Sequence, residues 1–368
     1  MRSAEQAAVG IEASECFTAL GDARATCAAL LRGEVALRPL PVLGRDGGDL
    51  VPLATNQGYD ETVPPRWEAQ LDALAARLPE APWGTAGYPV FVTSSNYDVG
   101  SLYAYRATGD ADFLNIGTPA NCLSYLKARY AWGENVQALS HACVTGQLGI
   151  EMAARYLQRG VAERALVFSF DYISPFVAGG FHSLKILNEQ FPAPYQARET
   201  GSIGLGDGCG FTVLSKAASP WRLDANFLYN EMYHFTSNEP GGSGFQACAD
   251  WLNSVAGNRR VWLKGHGTGT LDAGRLEAET FAAALPESPL VSWKGSLGHT
   301  LGSCAVVELA IALEAIRCGR APGTVGSAAP AMAANVALEP IVTGDFNAVA
   351  LFSNAFGGAH AGCLISYD

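Results

Sequence analysis

Three short stretches carry side chains suited to nucleophilic attack on a carbonyl carbon. The first is "ALSHACVTGQLGIEMAARYL" (138–157), where Cys143 lies between a short apolar run and a helix-like run. A thiol there would sit near a helix N-terminus. The free N–H groups and dipole of such an end favour a thiolate and can also hold an oxyanion. A buried packing thiol is the other reading, since free cysteine is commonly a core residue. A nucleophilic thiol needs a histidine or similar base. Of the six histidines (141, 182, 234, 266, 299, 360), two stand in glycine-rich turns after strand-like runs. His266 lies in "LKGHGTGTLDAGRLEAE" and His299 in "SWKGSLGHTLGSCAVVELA". Both turns lead into helix-like runs, so all three residues can meet at one edge of a sheet, where sites of α/β proteins gather.

The elements that would position them alternate. Strands are expected at 165–170, 210–215, 260–265, 289–295 and 348–354, with a further strand-like run before Cys143. Helices are expected over 145–158, with Leu148, Met152 and Tyr156 on one face, and over 303–317, with Val306, Leu309, Leu313 and Ile316 on one face. Gly160 and Gly319 stand where C-caps belong. The alternation implies an α/β fold. Residues 215–223 are the best junction between two halves, no internal repeat is visible, and 40–66 reads as loop.

Composition narrows the function classes. Hydrophobic residues make up 49% and charged residues 16%, which describes a well-buried globular chain. A net charge of −11 argues against nucleic acid as a partner. No apolar run is long enough to span a membrane, and the N-terminus lacks the pattern of a signal peptide. Nine scattered cysteines without a CxxC pair imply neither a metal site nor a disulfide framework, and a reducing cytoplasm.

The three stretches, in this order, resemble the active-site segments of the β-ketoacyl synthases. "HACVTG" is similar to the nucleophile segment. "HGTGT", with Glu277 eleven residues after its histidine, is similar to the second segment, and "KGSLGHT", with Glu308 nine residues after His299, to the third. "GLGDGCGFTVL" (204–214), "MYHFTSNEPGG" (232–242) and "SNAFGGAHAG" (353–362) resemble further family segments. The likeness runs from about residue 138 to the end and is loose before 130; the family's N-terminal strand looks weak or missing.

The resemblance implies a thiolase-like fold, two βαβαβαββ halves in a five-layered αβαβα sandwich, here 1–217 and 218–368. It implies decarboxylative Claisen condensation of acyl and malonyl thioesters held on acyl carrier protein. Cys143 would carry the acyl group, and His266 and His299 would hold the enolate oxygen. Lys294 and Glu308 would support His299, and the N–H of Phe356, on a gating loop, would complete an oxyanion hole with that of Cys143. Thr268 and Thr270 would bind the pantetheine arm, the only cofactor-like group implied, or else cap their turn. The partner would be a second, identical or related, ketosynthase subunit. A chain-length-factor-like subunit or an acyltransferase are the alternatives. Four departures stand out. Gly274 occupies the place of a family aspartate, with Asp272 two residues earlier; His141 and His360 replace a threonine and an asparagine; and Asn354 replaces the first loop phenylalanine.

Overall fold

The computed structural model describes residues 9–43, 48–56, 59, 67–115 and 117–367. Residues 1–8, which carry most of the expectation about a signal peptide, lie outside these. Ten strands form one hydrogen-bonded path in two sets of five. The first set is β1 (Val9–Thr18), β2 (Val90–Thr93), β3 (Val136–Leu139), β4 (Arg164–Asp171) and β5 (Gly208–Ser215). The second is β6 (Trp221–Asn230), β7 (Val261–Lys264), β8 (Leu290–Val291), β9 (Ala348–Ala355) and β10 (Ala359–Tyr367).

The order across the path is β8-β7-β9-β10-β6-β1-β5-β4-β2-β3. Each set therefore runs third, second, fourth, fifth, first. In each, the second strand pairs in parallel with the third and fourth, and the fifth pairs antiparallel with the fourth and first. Among the described residues, the two sets of strands pair where Val9 and Gly10 of β1 face Leu223 and Arg222 of β6. The chain is thus a duplicated unit, and the break falls between Ser215 and Trp221.

Among the helices of the remaining layers are α1 (Glu68–Ala75), α2 (Pro119–Tyr130), α3 (Thr145–Gln158), α4 (Ser243–Ala256), α5 (Leu271–Ala284) and α6 (Cys304–Arg317). Period-2 alternation sorts each strand's residues between them. On β4, Ala165 and Val167 face the middle layer with Ile150 of α3 and Val306 of α6, whereas Leu166, Phe168 and Phe170 pack with Leu71 of α1 and Leu126 of α2. On β9, Val349 and Leu351 face the same middle layer, and Ala350 and Phe352 pack with Leu252 of α4 and Phe281 of α5. The result is the αβαβα sandwich of the thiolase-like fold. α3 and α6 end as expected, with Gly160 and Gly319 in the left-handed region just past their last turns.

Three expectations need correction. The N-terminal strand is present and central, between β5 and β6. Its signal is masked because Glu12 and Glu15 interrupt the apolar run; the structure spends them on Arg164 (2.8 Å) and Arg77 (2.6 Å). Within 40–66, Leu50–Ala54 is a strand, paired antiparallel with Arg38–Pro41; residues 44–47, 57–58 and 60–66 lie outside the described residues. The strand expected over 289–295 stops at Val291, and Lys294–Leu297 is one helical turn.

No helix among the described residues is long and apolar enough to cross a membrane. Gly206 shows how tightly the halves approach: a Cβ there would lie 1.9 Å from the Leu297 carbonyl oxygen. We expect Gly206→Ala to destabilise the fold by about 3 kcal/mol, since overpacking against rigid backbone has no cheap relief. Chemical denaturation checks this; an unchanged midpoint contradicts it.

Candidate active site

Cys143 sits in the tight turn from β3 into α3. The turn needs Ala142 in the left-handed region (φ +46°), a conformation uncommon for a residue with a side chain. Thr145 closes it: its hydroxyl donates to the Ala142 carbonyl (2.6 Å) and accepts from the His141 N–H (2.7 Å). The His141 side chain is exposed. α3 and α6 approach here because residue 146 is glycine; a Cβ on it would lie 3.0 Å from the Gly302 carbonyl oxygen. That approach brings Cys304 to Cys143, with the Cys304 thiol donating to the Cys143 carbonyl (3.4 Å).

His266 follows β7 and His299 follows the turn after β8. The His266 loop is wrapped on one carboxylate: Glu277 of α5 accepts the N–H groups of His266 (2.6 Å) and Gly267 (2.9 Å) and the Tyr195 hydroxyl (2.8 Å). Gly269 completes the loop at φ +99°, where a Cβ would meet the Ser202 carbonyl oxygen at 2.5 Å. The His299 backbone is pinned on both sides, its N–H to Gly204 (2.7 Å) and its carbonyl to the Gly206 N–H (3.1 Å). The two imidazoles meet edge to face, with ring centroids 5.0 Å apart. Nδ1 of His266 and both ring nitrogens of His299 are buried without a protein partner. Buried polar atoms are almost always paired, which marks these nitrogens as candidate contacts for a bound group or water.

Beneath the histidines lies a charged triad. Glu308 of α6 takes Lys294 on one oxygen (2.6 Å) and Lys264, the last residue of β7, on the other (2.8 Å). All three side chains are at most 5% exposed. Burial and then the neighbouring ammoniums, Lys294 above all, hold both imidazoles well below the ordinary histidine range, so they are neutral at pH 7. The Cys143 thiol goes the other way: burial, with Cys304 adding to it and Lys294 opposing, pushes it well above the usual thiol range. Burial therefore works against the thiolate that the helix end favours.

The remaining expected residues divide. Phe356 is at the tip of the hairpin between β9 and β10, 37% exposed and stacked on Phe181 with centroids 6.1 Å apart. Ala355, Ala359 and Ala361 of that hairpin pack with Val144 and Cys143, so the tip lies beside the thiol. Thr268 and Thr270 are partly buried with hydroxyls 3.3 Å apart, and Thr270 makes no side-chain cap to α5. Asp272 is exposed on the first turn of α5, while Gly274 is buried, so Asp272 does not take up an interior place there. His360 is buried against Glu231 (3.2 Å) and ties the β9–β10 hairpin to the 231–239 segment, within 3.4 Å of Asn354. No group of three metal-ligating side chains occurs among the described residues.

Sequence reasoning missed Lys264, Cys304 and Asp171. Asp171, at the end of β4, accepts the Ser94 hydroxyl (2.6 Å) and the N–H groups of Ser95 (3.0 Å), Asn96 (3.1 Å) and Gly302 (2.7 Å). It fastens the loop after β2 to the entry of α6, and hence one half to the other. The signal for Lys264 was a lysine closing an otherwise apolar strand. Cys304 and Asp171 left none. We expect Glu308→Ala to cost about 3–5 kcal/mol, because it strands two buried ammoniums, and Glu308→Gln to cost less. Thermal or chemical denaturation checks this; equal, small losses contradict the triad.

Comparison with known proteins bears on the fold and on the C-terminal half. Residues 229–327 match the model of the β-ketoacyl synthase C-terminal domain. A 3-oxoacyl-[acyl-carrier-protein] synthase 2 of Coxiella burnetii is 25% identical over 318 residues, 80% of this chain and 74% of that protein. Among solved structures, one described as a type II polyketide synthase acyl-carrier protein in complex with its ketosynthase (AntDE:AntF) superposes with a TM-score of 0.84 at 16% identity, over 98% of this chain and 99% of that one. The ketosynthase ApeO in complex with its chain length factor ApeC, from Xenorhabdus doucetiae, gives a TM-score of 0.79 at 20% identity, over the whole of both chains. These likenesses, the matched C-terminal domain above all, support a divergent member of the β-ketoacyl synthase family.

Proposed function

We propose that the protein is a condensing enzyme that extends an acyl thioester with malonyl-carrier protein, losing CO2, in fatty acid, polyketide or polyene synthesis. The carrying observation is a pair of neutral imidazoles, edge to face and with three buried nitrogens that no protein group fills, sharing Lys294 as a charged neighbour with the Cys143 thiol. Neutral imidazole can donate one N–H to a developing enolate oxygen without first surrendering a charge.

The chemistry balances as follows. The Cys143 sulfur bonds to the acyl carbon, the carrier's thioester C–S bond breaks, and the Cys143 proton leaves on the carrier thiol. Because burial favours the protonated thiol, that proton moves during attack. The malonyl C–COO⁻ bond then breaks, CO2 departs, and its electron pair becomes an enolate whose oxygen His266 and His299 hold. The enolate carbon attacks the acyl carbonyl, the Cys143 C–S bond breaks, and the thiolate regains a proton from solvent. N–H groups of Cys143 and Phe356 serve the acyl oxyanion, and Thr268 and Thr270, one turn from His266, serve the pantetheine arm as donors. The arm belongs to the carrier, and no other cofactor is called for.

The partners on this reading are acyl carrier protein and a second ketosynthase-like subunit, identical or not. Nine unpaired thiols support a reducing, cytoplasmic setting. The second reading, a chain-length-factor-like partner, is favoured by the fold's likeness to a ketosynthase solved with its chain length factor.

The test is to separate the half-reactions. We expect His266→Ala and His299→Ala each to slow malonyl decarboxylation about 10²–10³-fold while acyl transfer to Cys143 persists, and Cys143→Ala to abolish acyl loading. Burst assays of thiol release and of CO2 read the two steps. Histidine variants that lose loading and decarboxylation equally would contradict the assignment.

A further inference from the structure

Lys264 has no place in the mechanism above, yet its side chain is 0% exposed. Its Nζ reaches Glu308 Oε2 (2.8 Å) and the Gly265 carbonyl (2.6 Å) and lies 5.6 Å from the centre of the Trp293 ring. One lysine would satisfy Glu308. Two ammoniums on one carboxylate leave an excess positive charge, and burying it is expensive without a use for it. Glu277 bonds the His266 loop N–H groups and Tyr195 rather than either lysine, and acts on Lys294 only as a more distant charge.

We propose that Lys264 is a positioning residue for decarboxylation: by sharing Glu308 with Lys294 it fixes the floor of the site and supplies the positive potential that favours the enolate at His266 and His299. This rests on the condensing-enzyme reading. Negative charge appears on the substrate only as CO2 leaves, so a fixed positive potential acts on that step more than on substrate binding. It also keeps the imidazoles unprotonated, and therefore able to receive an oxyanion rather than an added proton.

The groups facing Lys264 separate well in their titration. Glu308 and Cys304 face it from α6, Lys294 and Trp293 from the turn after β8, His266 and His299 from their loops, and Glu277 and Tyr195 stand behind. Burial pushes the Cys304 thiol up to about 11 and the Tyr195 hydroxyl well above its usual value. Both imidazoles lie well below 6.5. Burial pulls Lys294 down, but Glu308 outweighs it and holds that lysine above 10.5. Burial brings Lys264 itself down to about 8, against the pull of Glu308. Burial thus moves Lys264 toward the range of a pH profile, while the imidazoles are moved below it and Lys294 and the Cys304 thiol above it.

The experiment uses the full-length enzyme already acylated on Cys143, so that no thiol titration at that position intrudes. CO2 release from saturating malonyl-carrier protein is followed from pH 6.5 to 9.5. We expect the wild-type rate to fall about 10–100-fold through a limb near pH 8, losing the ammonium's effect as pH rises. Lys264→Met should remove the limb and lower kcat to the high-pH level, with KM nearly unchanged. Should that variant not fold, Lys264→Gln and the wild-type profile carry the same test. A wild-type profile without the limb, or a limb that persists in the folded variant, overturns the role of Lys264. An acylated wild-type enzyme that releases no CO2 at any pH overturns the condensing reading and this inference with it.

Discussion

A single carboxylate organises the site. Glu308 sits on the first turns of α6 and reaches Lys264 at the end of β7 and Lys294 at the turn after β8. Those are the two strand ends that carry His266 and His299. The carboxylate therefore fixes the spacing of the two imidazole loops and sets their charge state together. Placing three charges in a dry interior is costly, and such a group is stable only with every partner present. The edge-to-face contact of the histidines, their neutrality and their free nitrogens all follow from that arrangement.

The duplicated fold explains how residues more than a hundred positions apart reach one place. Parallel strands point their C-terminal ends the same way, and each half offers such an edge. Cys143 comes from the edge of the first half, and the histidines come from the second. The middle helices α3 and α6 lie side by side with their first turns adjacent, close enough for Cys304 to donate to the Cys143 carbonyl. Asp171 and Gly302 stitch that junction with hydrogen bonds from both halves.

Legibility from sequence followed physical cause. Cys143, His266 and His299 stood out because rare side chains lay in small-residue turns between periodic segments, and α3 and α6 because their apolar spacing is helical and each ends at a capping glycine. The duplication was invisible because the halves share topology without sharing residues; only strand order reveals it. β1 was hidden by glutamates whose arginine partners are distant in sequence. Asp171 acts through tertiary contacts that no local pattern announces, and Lys264 left only a lysine closing an apolar strand. The helix end beside the thiol is a local feature that sequence shows, whereas the desolvation that opposes a thiolate there depends on the whole surrounding fold.

The central claim is that Cys143 carries an acyl group that malonyl-carrier protein then consumes. Peptide mass spectrometry tests it most directly: the pure protein is mixed with an acyl-carrier thioester, then with malonyl-carrier protein. The account predicts an acyl adduct on the Cys143 peptide that disappears as a β-ketoacyl thioester forms. No adduct would contradict the account and favour a binding subunit. An adduct that persists without loss of CO2 would contradict it in the other direction, leaving acyl transfer without condensation.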